Sequence, residues 1–228
     1  LAVTATDTAA LSGSHENACK RKYWAKPMLN ELMHEIGIRI LARKVQLVGA
    51  QYEKALIPIF SHATEHYMRV YFQCEKGKKQ SDEVIKQHQF LMFCSKCRNH
   101  LTSRNNSAKC ACCKKEMDFA GPLWIGQLWS TELAKKMFQN AKNHDAKKLL
   151  HIISQESKIN TVGFYSVSKI CRILKTSMPK KSKIIEAIKK SGCAAAETHF
   201  AGDAIRTTMQ SRIFFRLIRR AAFKQRNL

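Results

Sequence analysis

Two closely spaced cysteine motifs between Phe93 and Met117 constrain the fold of this chain more than any other feature. Cys94 and Cys97 form one C-x-x-C motif, and Cys110, Cys112 and Cys113 follow after a polar loop. Two such motifs at this separation are typical of a tetrahedral zinc site, in which each turn directs two thiolates at one ion. A tetrahedral ion takes four ligands, so one of the five cysteines is surplus.

The spacing within the motifs selects the four ligands. Only Cys110 with Cys113 repeats the two-residue gap of Cys94 with Cys97. We therefore predict that Cys94, Cys97, Cys110 and Cys113 hold a structural Zn²⁺, with Cys112 in place of Cys113 as the alternative. An iron–sulfur cluster fits this compact spacing less well. Four thiolates leave no position for water, so the expected role is to stabilise a small β-rich unit and not to catalyse.

The charge of the chain predicts a polyanionic partner. It has 40 Lys and Arg against 17 Asp and Glu, a formal net charge of +23, which favours nucleic acid binding. Its nine cysteines occur without a secretory signal, which indicates reduced or metal-bound thiols. No segment resembles a signal peptide or a membrane span, so we expect a cytoplasmic location, no membrane partner and no obligate protein partner.

The first part of the chain has the pattern of an α/β sheet. Residues 1–7 form an apolar, Thr-rich segment typical of a buried strand, and apolar residues then recur at three- and four-residue steps from Leu29 to Val48, which predicts a long helix. Residues 55–61 and 66–75 predict a β-hairpin. Because the chain starts without Met inside an apparent strand, we expect it to be the downstream part of a longer protein.

The second part has a different pattern, which begins after a charged junction at residues 76–83. Ser130 and Asp145 are predicted to cap two helices. Two short helices followed by a strand, a Gly-containing turn and another strand are the element order of a winged helix. The predicted fold class is therefore α/β followed by α+β. The expected units are 1–78 and 79–228, the latter with a zinc knuckle (90–118), a winged-helix-like unit (163–208) and a basic tail (209–228).

Five segments of the chain, in order, resemble the tRNA guanine-26 N2-dimethyltransferase family. They are "LAVTATDTAALSG", "IPIFSHATEHYMRVYF", the two cysteine motifs, "AGPLWIGQLW" and "ETHFAGDAIRT". The resemblance implies an enzyme that uses S-adenosylmethionine to methylate the exocyclic N2 of a guanine in tRNA. It also implies a Rossmann-like methyltransferase domain followed by a C-terminal domain that helps to hold tRNA.

The family's cofactor loop and its catalytic Asp-Pro-aromatic-Gly motif would lie upstream of residue 1. The resemblance therefore implies that residues 1–78 supply the last strands of the Rossmann-like sheet, that S-adenosylmethionine is bound mainly by the upstream part, and that this chain alone is inactive. Ligands of open α/β sheets lie beyond the carboxyl ends of the strands. Thr6, Asp7 and Thr8 are thus expected at the rim of the cleft, where Asp7 either contacts the target base or only ends a strand.

The winged-helix-like unit is predicted to clamp the tRNA backbone and to recognise the shape of the tRNA more than its sequence. Trp124 and Trp129 either stack on bases or pack the junction between the two parts. The predicted tRNA contacts are Lys180, Lys181, Lys183, Lys189 and Lys190 on the second helix, with His199 and Arg206 on the wing strands.

Two other functions are compatible with parts of the sequence. A zinc ribbon combined with a winged helix is typical of a DNA-binding regulator. A non-catalytic subunit that completes the sheet of another chain is the second alternative. The Thr-rich strand, long helix and hairpin at the start argue against the regulator, which needs no methyltransferase sheet.

Overall fold

An antiparallel three-stranded sheet and four helices form the first part of the molecule. The computed structural model describes residues 1–64 and 66–226. The elements are β1 (Ala2–Ala5), α1 (Thr8–Leu11), α2 (Glu16–Tyr23), α3 (Met33–Ala50), β2 (Lys54–Thr64), β3 (Tyr67–Lys76) and α4 (Lys78–Lys86). Strand β3 lies between β1 and β2 and is antiparallel to both. The predicted hairpin is therefore confirmed.

Residues 35–42 of helix α3 are buried on every side, because the helix packs against β2 and β3 on one side and against the strand at residues 118–124 on the other. The predicted helix is confirmed, but its buried surface is wider than the single apolar stripe seen in the sequence. Leu29 lies before the helix and is 65% exposed. Glu35 in the first turn of the helix and Arg39 one turn later are buried as well. Buried charges of this kind require partners.

Strand β1 lies at the edge of its sheet. It pairs with β3 on one side, and among the residues that the structure describes no strand pairs with its other side. An edge of this kind exposes unpaired N–H and C=O groups that can pair with a further strand. The sheet can therefore be extended beyond β1.

A second antiparallel sheet carries both cysteine motifs in the connections between its strands. It consists of β4 (His88–Phe93), β5 (His100–Ser103) and β6 (Asp118–Trp124), with β4 in the centre. Helices α5 (Thr131–Asn140) and α6 (His144–Glu156) follow. Ser130 caps α5 as predicted, because its Oγ accepts from Leu133 N. The predicted cap Asp145 is wrong: Asn143 caps α6 with its side-chain oxygen.

A third sheet and three helices complete the chain. They are β7 (Tyr165–Ser166), α7 (Val167–Leu174), α8 (Lys181–Lys190), β8 (Ala195–Thr198), β9 (Ala201–Thr207) and α9 (Ser211–Arg226). The strand order is β7-β9-β8, and both pairings are antiparallel. The predicted succession of two helices and a hairpin is present, while the winged-helix class stays a prediction. The predicted tail at 209–228 contains α9; residues 227 and 228 lie outside the described residues.

One hydrophobic cluster contains residues from both sides of the predicted boundary at residue 78. It includes Ile36 and Val70 as well as Trp129 and Phe200. A second cluster lies between α7, α8, α9 and the third sheet, and a third surrounds the cysteine motifs. Among the described residues, no helix combines the length and apolar composition needed to cross a membrane.

Replacing Gly49 by Ala should destabilise the protein, although alanine favours helices. A Cβ at Gly49 would lie 2.9 Å from the backbone oxygen of Lys54 and 2.7 Å from Leu56 Cδ1, where α3 approaches β2. We expect Gly49→Ala to lower the free energy of unfolding by about 1–3 kcal/mol, measured by urea denaturation. Gly202→Ala is the control, since a Cβ there meets no atom within 4 Å. Equal free energies of unfolding for both variants would contradict the claim that α3 and β2 are too close at Gly49 for a side chain.

Candidate metal centre and nucleic-acid interface

The two cysteine motifs fold into the same turn. The N–H of Arg98 donates to Cys94 O, and the N–H of Lys114 donates to Cys110 O, each at 2.8 Å. Arg98 and Lys114 have φ angles of 55° and 62°, in the left-handed region that favours glycine. A repeated turn of this kind presents two pairs of thiols to one point.

The four predicted ligands are brought together by these turns. The sulfur atoms of Cys94, Cys97, Cys110 and Cys113 all lie within 4.8 Å of one another. The distances Cys94–Cys113 and Cys97–Cys110 are both 3.4 Å. A tetrahedral zinc ion with bonds of about 2.3 Å would hold its sulfur ligands roughly 3.8 Å apart. The donor set and its spacing therefore fit a tetrahedral metal ion.

The environment of the four sulfurs favours ionisation of Cys110. Burial opposes ionisation of Cys110, but the backbone N–H groups of Cys113 and Cys112 and the Cys97 thiol together lower its pKa to about 6. Burial raises the pKa of Cys97. Asn99 Nδ2 lies 3.7 Å from Cys110 Sγ and donates to it. Cys110 therefore ionises more readily than Cys97, and binding of a cation would draw further thiols into their ionised form.

Cys112 points away from the four ligands and contacts α9. Its Sγ lies 3.4 Å from Ser211 Oγ, at the first residue of that helix. Ser211 Oγ donates in turn to Asn99 Oδ1 at 2.8 Å, and Arg212 Nη2 donates to Ala111 O at 3.0 Å. The second turn is therefore bound to α9, a contact that the sequence did not reveal.

Arg206 is fully buried at the junction of the first sheet with the C-terminal part. Its Nη2 donates to Glu35 Oε2 at 2.7 Å, and its Nε donates to Glu156 Oε1 at 2.9 Å. Its Nη1 donates to the carbonyls of Thr161 and Gly163 at 2.6 and 3.1 Å. All three nitrogens of the guanidinium thus donate, to acceptors from three separate segments.

The same carboxylates bind further groups. Glu35 accepts from Arg39 Nε at 2.8 Å and from Gly163 N at 3.0 Å. Glu156 accepts from the Thr198 hydroxyl and lies 2.7 Å from His199 Nδ1. Two guanidiniums and two carboxylates balance in charge, so the cluster contains no uncompensated ion.

The charges in this cluster shift the pKa values of its members. Burial raises the pKa of Glu35, but the guanidiniums of Arg206 and Arg39 outweigh it and lower the value to about 2. Burial likewise opposes ionisation of Glu156, whose pKa is nevertheless lowered by Arg206 and His199. Burial lowers the pKa of Arg206 less than the two carboxylates raise it. Both carboxylates and the guanidinium are therefore ionised at neutral pH.

Two of the predicted tRNA contacts are corrected by this arrangement. The side chains of Arg206 and His199 are 0% exposed and hydrogen-bonded inside the protein. Neither can reach a phosphate on the surface. The sequence signal for these buried pairs was the presence of Glu35 and Glu156 within helical patterns. A single sequence does not show which basic residue pairs with each of them.

The predicted lysines of α8 lie on the surface and differ in their surroundings. Lys181 is paired with Glu197 at 2.9 Å, and Lys190 is paired with Glu186 at 2.7 Å. Lys180, Lys183 and Lys189 are exposed. The structure leaves these three predicted contacts accessible to an anion.

Trp124 and Trp129 are buried and pack the junction, which supports the second of the two predicted roles. Trp124 Nε1 donates to Gln127 O at 2.9 Å, and Trp129 Nε1 donates to Ser61 O at 2.8 Å. The ring of Trp129 lies 5.5 Å from the guanidinium of Arg206. Neither ring is free to stack on a base.

The predicted cleft rim follows the end of β1. Asp7 directly precedes α1, and its carboxylate is paired with Lys22 Nζ at 2.6 Å. Thr6 is exposed, while Asp7 and Thr8 are half-buried. Asp7 thus lies two residues beyond the last residue of β1 and is also an accessible acceptor, so both interpretations stay open.

Substitution of single cysteines should separate the four ligands from the surplus one. We expect Cys94→Ser to abolish binding of one zinc ion per chain and to lower the melting temperature, because the closed site stabilises the turn region. Zinc content is measured by metal analysis after dialysis, and melting by circular dichroism. The matched variant Cys112→Ser should retain zinc. Loss of zinc from Cys112→Ser with retention in Cys113→Ser would contradict the assignment.

Replacing Arg206 by Met should destabilise the protein strongly at neutral pH, by roughly 3–5 kcal/mol, because it leaves Glu35 and Glu156 buried without their partner. The pKa of Glu35 is about 2 in the native protein. The native protein therefore loses the stability due to this ionised group as the pH falls from about 4.3 towards that value. The stability difference between the two proteins should shrink over the same interval.

Denaturant unfolding at a series of pH values measures this difference. Arg219→Met removes an exposed arginine and is the control, with an expected effect within about 0.5 kcal/mol. A deficit of Arg206→Met that stays constant down to the acid limit would show that Glu35 does not depend on Arg206.

Comparison with known proteins identifies the family. A family model described as N2,N2-dimethylguanosine tRNA methyltransferase matches residues 1–219. The tRNA (guanine(26)-N(2))-dimethyltransferase of Methanobrevibacter smithii is 41% identical over 217 residues, which cover 91% of this chain and 56% of that protein. The tRNA (guanine(26)-N(2)/guanine(27)-N(2))-dimethyltransferase of Aquifex aeolicus is 38% identical over 217 residues, with coverages of 92% and 54%.

A solved structure has the same fold. Trm1 from Pyrococcus horikoshii, determined in complex with S-adenosyl-L-methionine, aligns with a TM-score of 0.86 and 31% identity, over 96% of this chain and 58% of that one. The chain thus spans little more than half the length of the relatives that it matches. The resemblance carried by the five sequence segments is confirmed, and the chain belongs to the N2,N2-dimethylguanosine tRNA methyltransferase family.

Proposed function

We propose that this chain supplies the sheet edge and the tRNA-holding part of an enzyme that methylates N2 of guanine 26 in tRNA, using S-adenosylmethionine. The observation that carries the proposal is the fold that the chain shares with Trm1 solved in complex with that cofactor. S-adenosylmethionine, when bound, supplies the methyl group. Its binding loop and the catalytic motif belong to the part of the enzyme outside this chain.

The first sheet is suited to complete a methyltransferase sheet. The free edge of β1 can pair with a further strand, so that β1, β3 and β2 become its last three strands. Thr6, Asp7 and Thr8 then lie at the rim of the cleft beyond the strand ends. The Asp7 carboxylate, held by Lys22, can accept hydrogen bonds from the N–H groups of a guanine.

The C-terminal part, residues 79–228, is proposed to hold the body of the tRNA. A zinc ion on Cys94, Cys97, Cys110 and Cys113 would fix the turns of the second sheet. Residues 163–208 would act as a winged-helix-like unit whose exposed Lys180, Lys183 and Lys189 contact phosphates. Binding across the tRNA body would offset the few kcal/mol needed to expose a stacked guanine.

The DNA-binding regulator receives no support from the comparisons. The family model and both relatives compared by sequence are named as tRNA methyltransferases. The two functions also differ in the shape of the expected ligand, since a regulator reads the major groove of a duplex whereas this proposal requires a folded RNA.

Competition between tRNA and duplex DNA tests the proposal. The 228-residue chain should bind a tRNA transcript with an affinity that falls steeply with salt, because Lys and Arg release counterions from phosphates. At one fixed salt concentration, duplex DNA of equal phosphate content should displace it at least tenfold less effectively than unlabelled tRNA. Fluorescence anisotropy of labelled tRNA measures both quantities.

Equal competition by DNA would contradict the proposal and favour the regulator. As a control on the enzymatic assignment, radiolabelled S-adenosylmethionine mixed with tRNA and this chain alone should give no methyl transfer. Transfer by the chain alone would show that the catalytic groups lie within it.

A further inference from the structure

Helix α9 combines a buried apolar face with an exposed face that carries only positive charge. The buried apolar residues described in it include Phe214, Ile218 and Ala222, at four-residue intervals. No Asp or Glu occurs anywhere in residues 211–226. Among the side chains of the helix whose burial the structure describes, the exposed basic ones are Arg212, Arg216, Arg219 and Arg220.

Three of these arginines form a line on the helix surface. Arg212, Arg216 and Arg220 recur every four residues, so they lie on one face about 6 Å apart along the axis. Like charges at this spacing repel and lower helix stability by a few tenths of a kcal/mol per pair. Because no acidic residue of the helix offsets this repulsion, a polyanion bound from outside the protein would relieve it.

The line continues onto the neighbouring helix. A groove of about 600 Å³ lies between α8 and α9, and its lining includes Lys183, Arg216 and Arg220 together with Ile213 and Leu217. Lys183 is also exposed. Two helices therefore contribute cations to one shared surface.

The amino-terminal end of the helix is fixed by the second cysteine turn. Ser211 and Arg212 are hydrogen-bonded to Asn99 and to Ala111 O, and Ser211 lies against Cys112. The arginines are thus presented from a rigid element, which lowers the entropy lost when a ligand binds. This surface lies next to the proposed metal centre and is distinct from the buried Arg206.

We propose that the exposed face of α9, with Lys183 of α8, binds the phosphodiester backbone of the RNA substrate. The proposal rests on the proposed function and names the element that holds the tRNA. An anionic membrane is a weaker candidate for the same charge. A membrane-bound amphipathic helix inserts its apolar face, and here Phe214 and Ile218 on that face are 0% exposed within the protein.

A charge-matched pair of variants tests the proposal. Arg216→Ala/Arg220→Ala removes two cations from the α9 surface. Lys135→Ala/Lys147→Ala removes two exposed cations from α5 and α6. The α9 variant should raise the Kd for the tRNA transcript at least about tenfold and reduce the slope of log K against log salt by about 2. The control variant should raise the Kd less than about twofold. Both variants should have the melting temperature of the native chain.

Each alternative outcome has a distinct meaning. An equal loss of affinity in both variants would show that RNA senses only net charge, and an unchanged Kd in the α9 variant would show that another surface binds RNA. Either result overturns the proposal and leaves the proposed function intact. Loss of binding to phosphatidylserine vesicles with unchanged RNA affinity would also overturn it. Absence of tRNA binding by the native chain would instead contradict the proposed function itself.

Discussion

Arg206 carries its charge where no water reaches it, and the rest of the structure is arranged to make this possible. A buried guanidinium needs anions and carbonyls in place of its hydration shell. Glu35 comes from α3 beside the first sheet, and Glu156 comes from the end of α6. Gly163 contributes a carbonyl from the chain that leads into the third sheet. The Arg206 side chain thereby joins β9 to three other segments of the chain, which are α3, the end of α6 and the loop before β7.

This junction gives the functional surfaces a fixed relationship. The edge of β1 and the rim at Asp7 belong to the first sheet, whereas α8 and α9 belong to the C-terminal part. The first cysteine turn is paired with the first part of the chain through Arg98 and Glu31, and the cysteine turns are bound to α9 through Ser211. In the proposed enzyme, a tRNA held on α9 would therefore be presented to the cleft without a hinge, and the metal ion would act as a brace and not as a reagent.

The sequence predicted those features whose physical causes are local. Ligand spacing selects Cys113 over Cys112, and two β-rich runs of strand length predict the hairpin. The sequence-based prediction was wrong where tertiary contacts determine whether a residue is buried. Arg206 and His199 are of residue types that commonly contact phosphates on a surface, and only their pairing with a carboxylate distant in sequence shows that they are buried. The proposed surface role of α9 was only partly visible from the sequence, because its basic pattern is clear but its contact with the cysteine turn joins residues about a hundred positions apart.

Native-state hydrogen exchange tests most directly the claim that this charge cluster makes the two parts one unit. The amides of Ile40 in α3 and Ile205 in β9 are buried in different hydrophobic clusters. If the cluster joins them, both should exchange only through global unfolding, with the same free energy and the same dependence on denaturant. Exchange of Ile205 through a smaller opening, while Ile40 stays protected, would contradict the account.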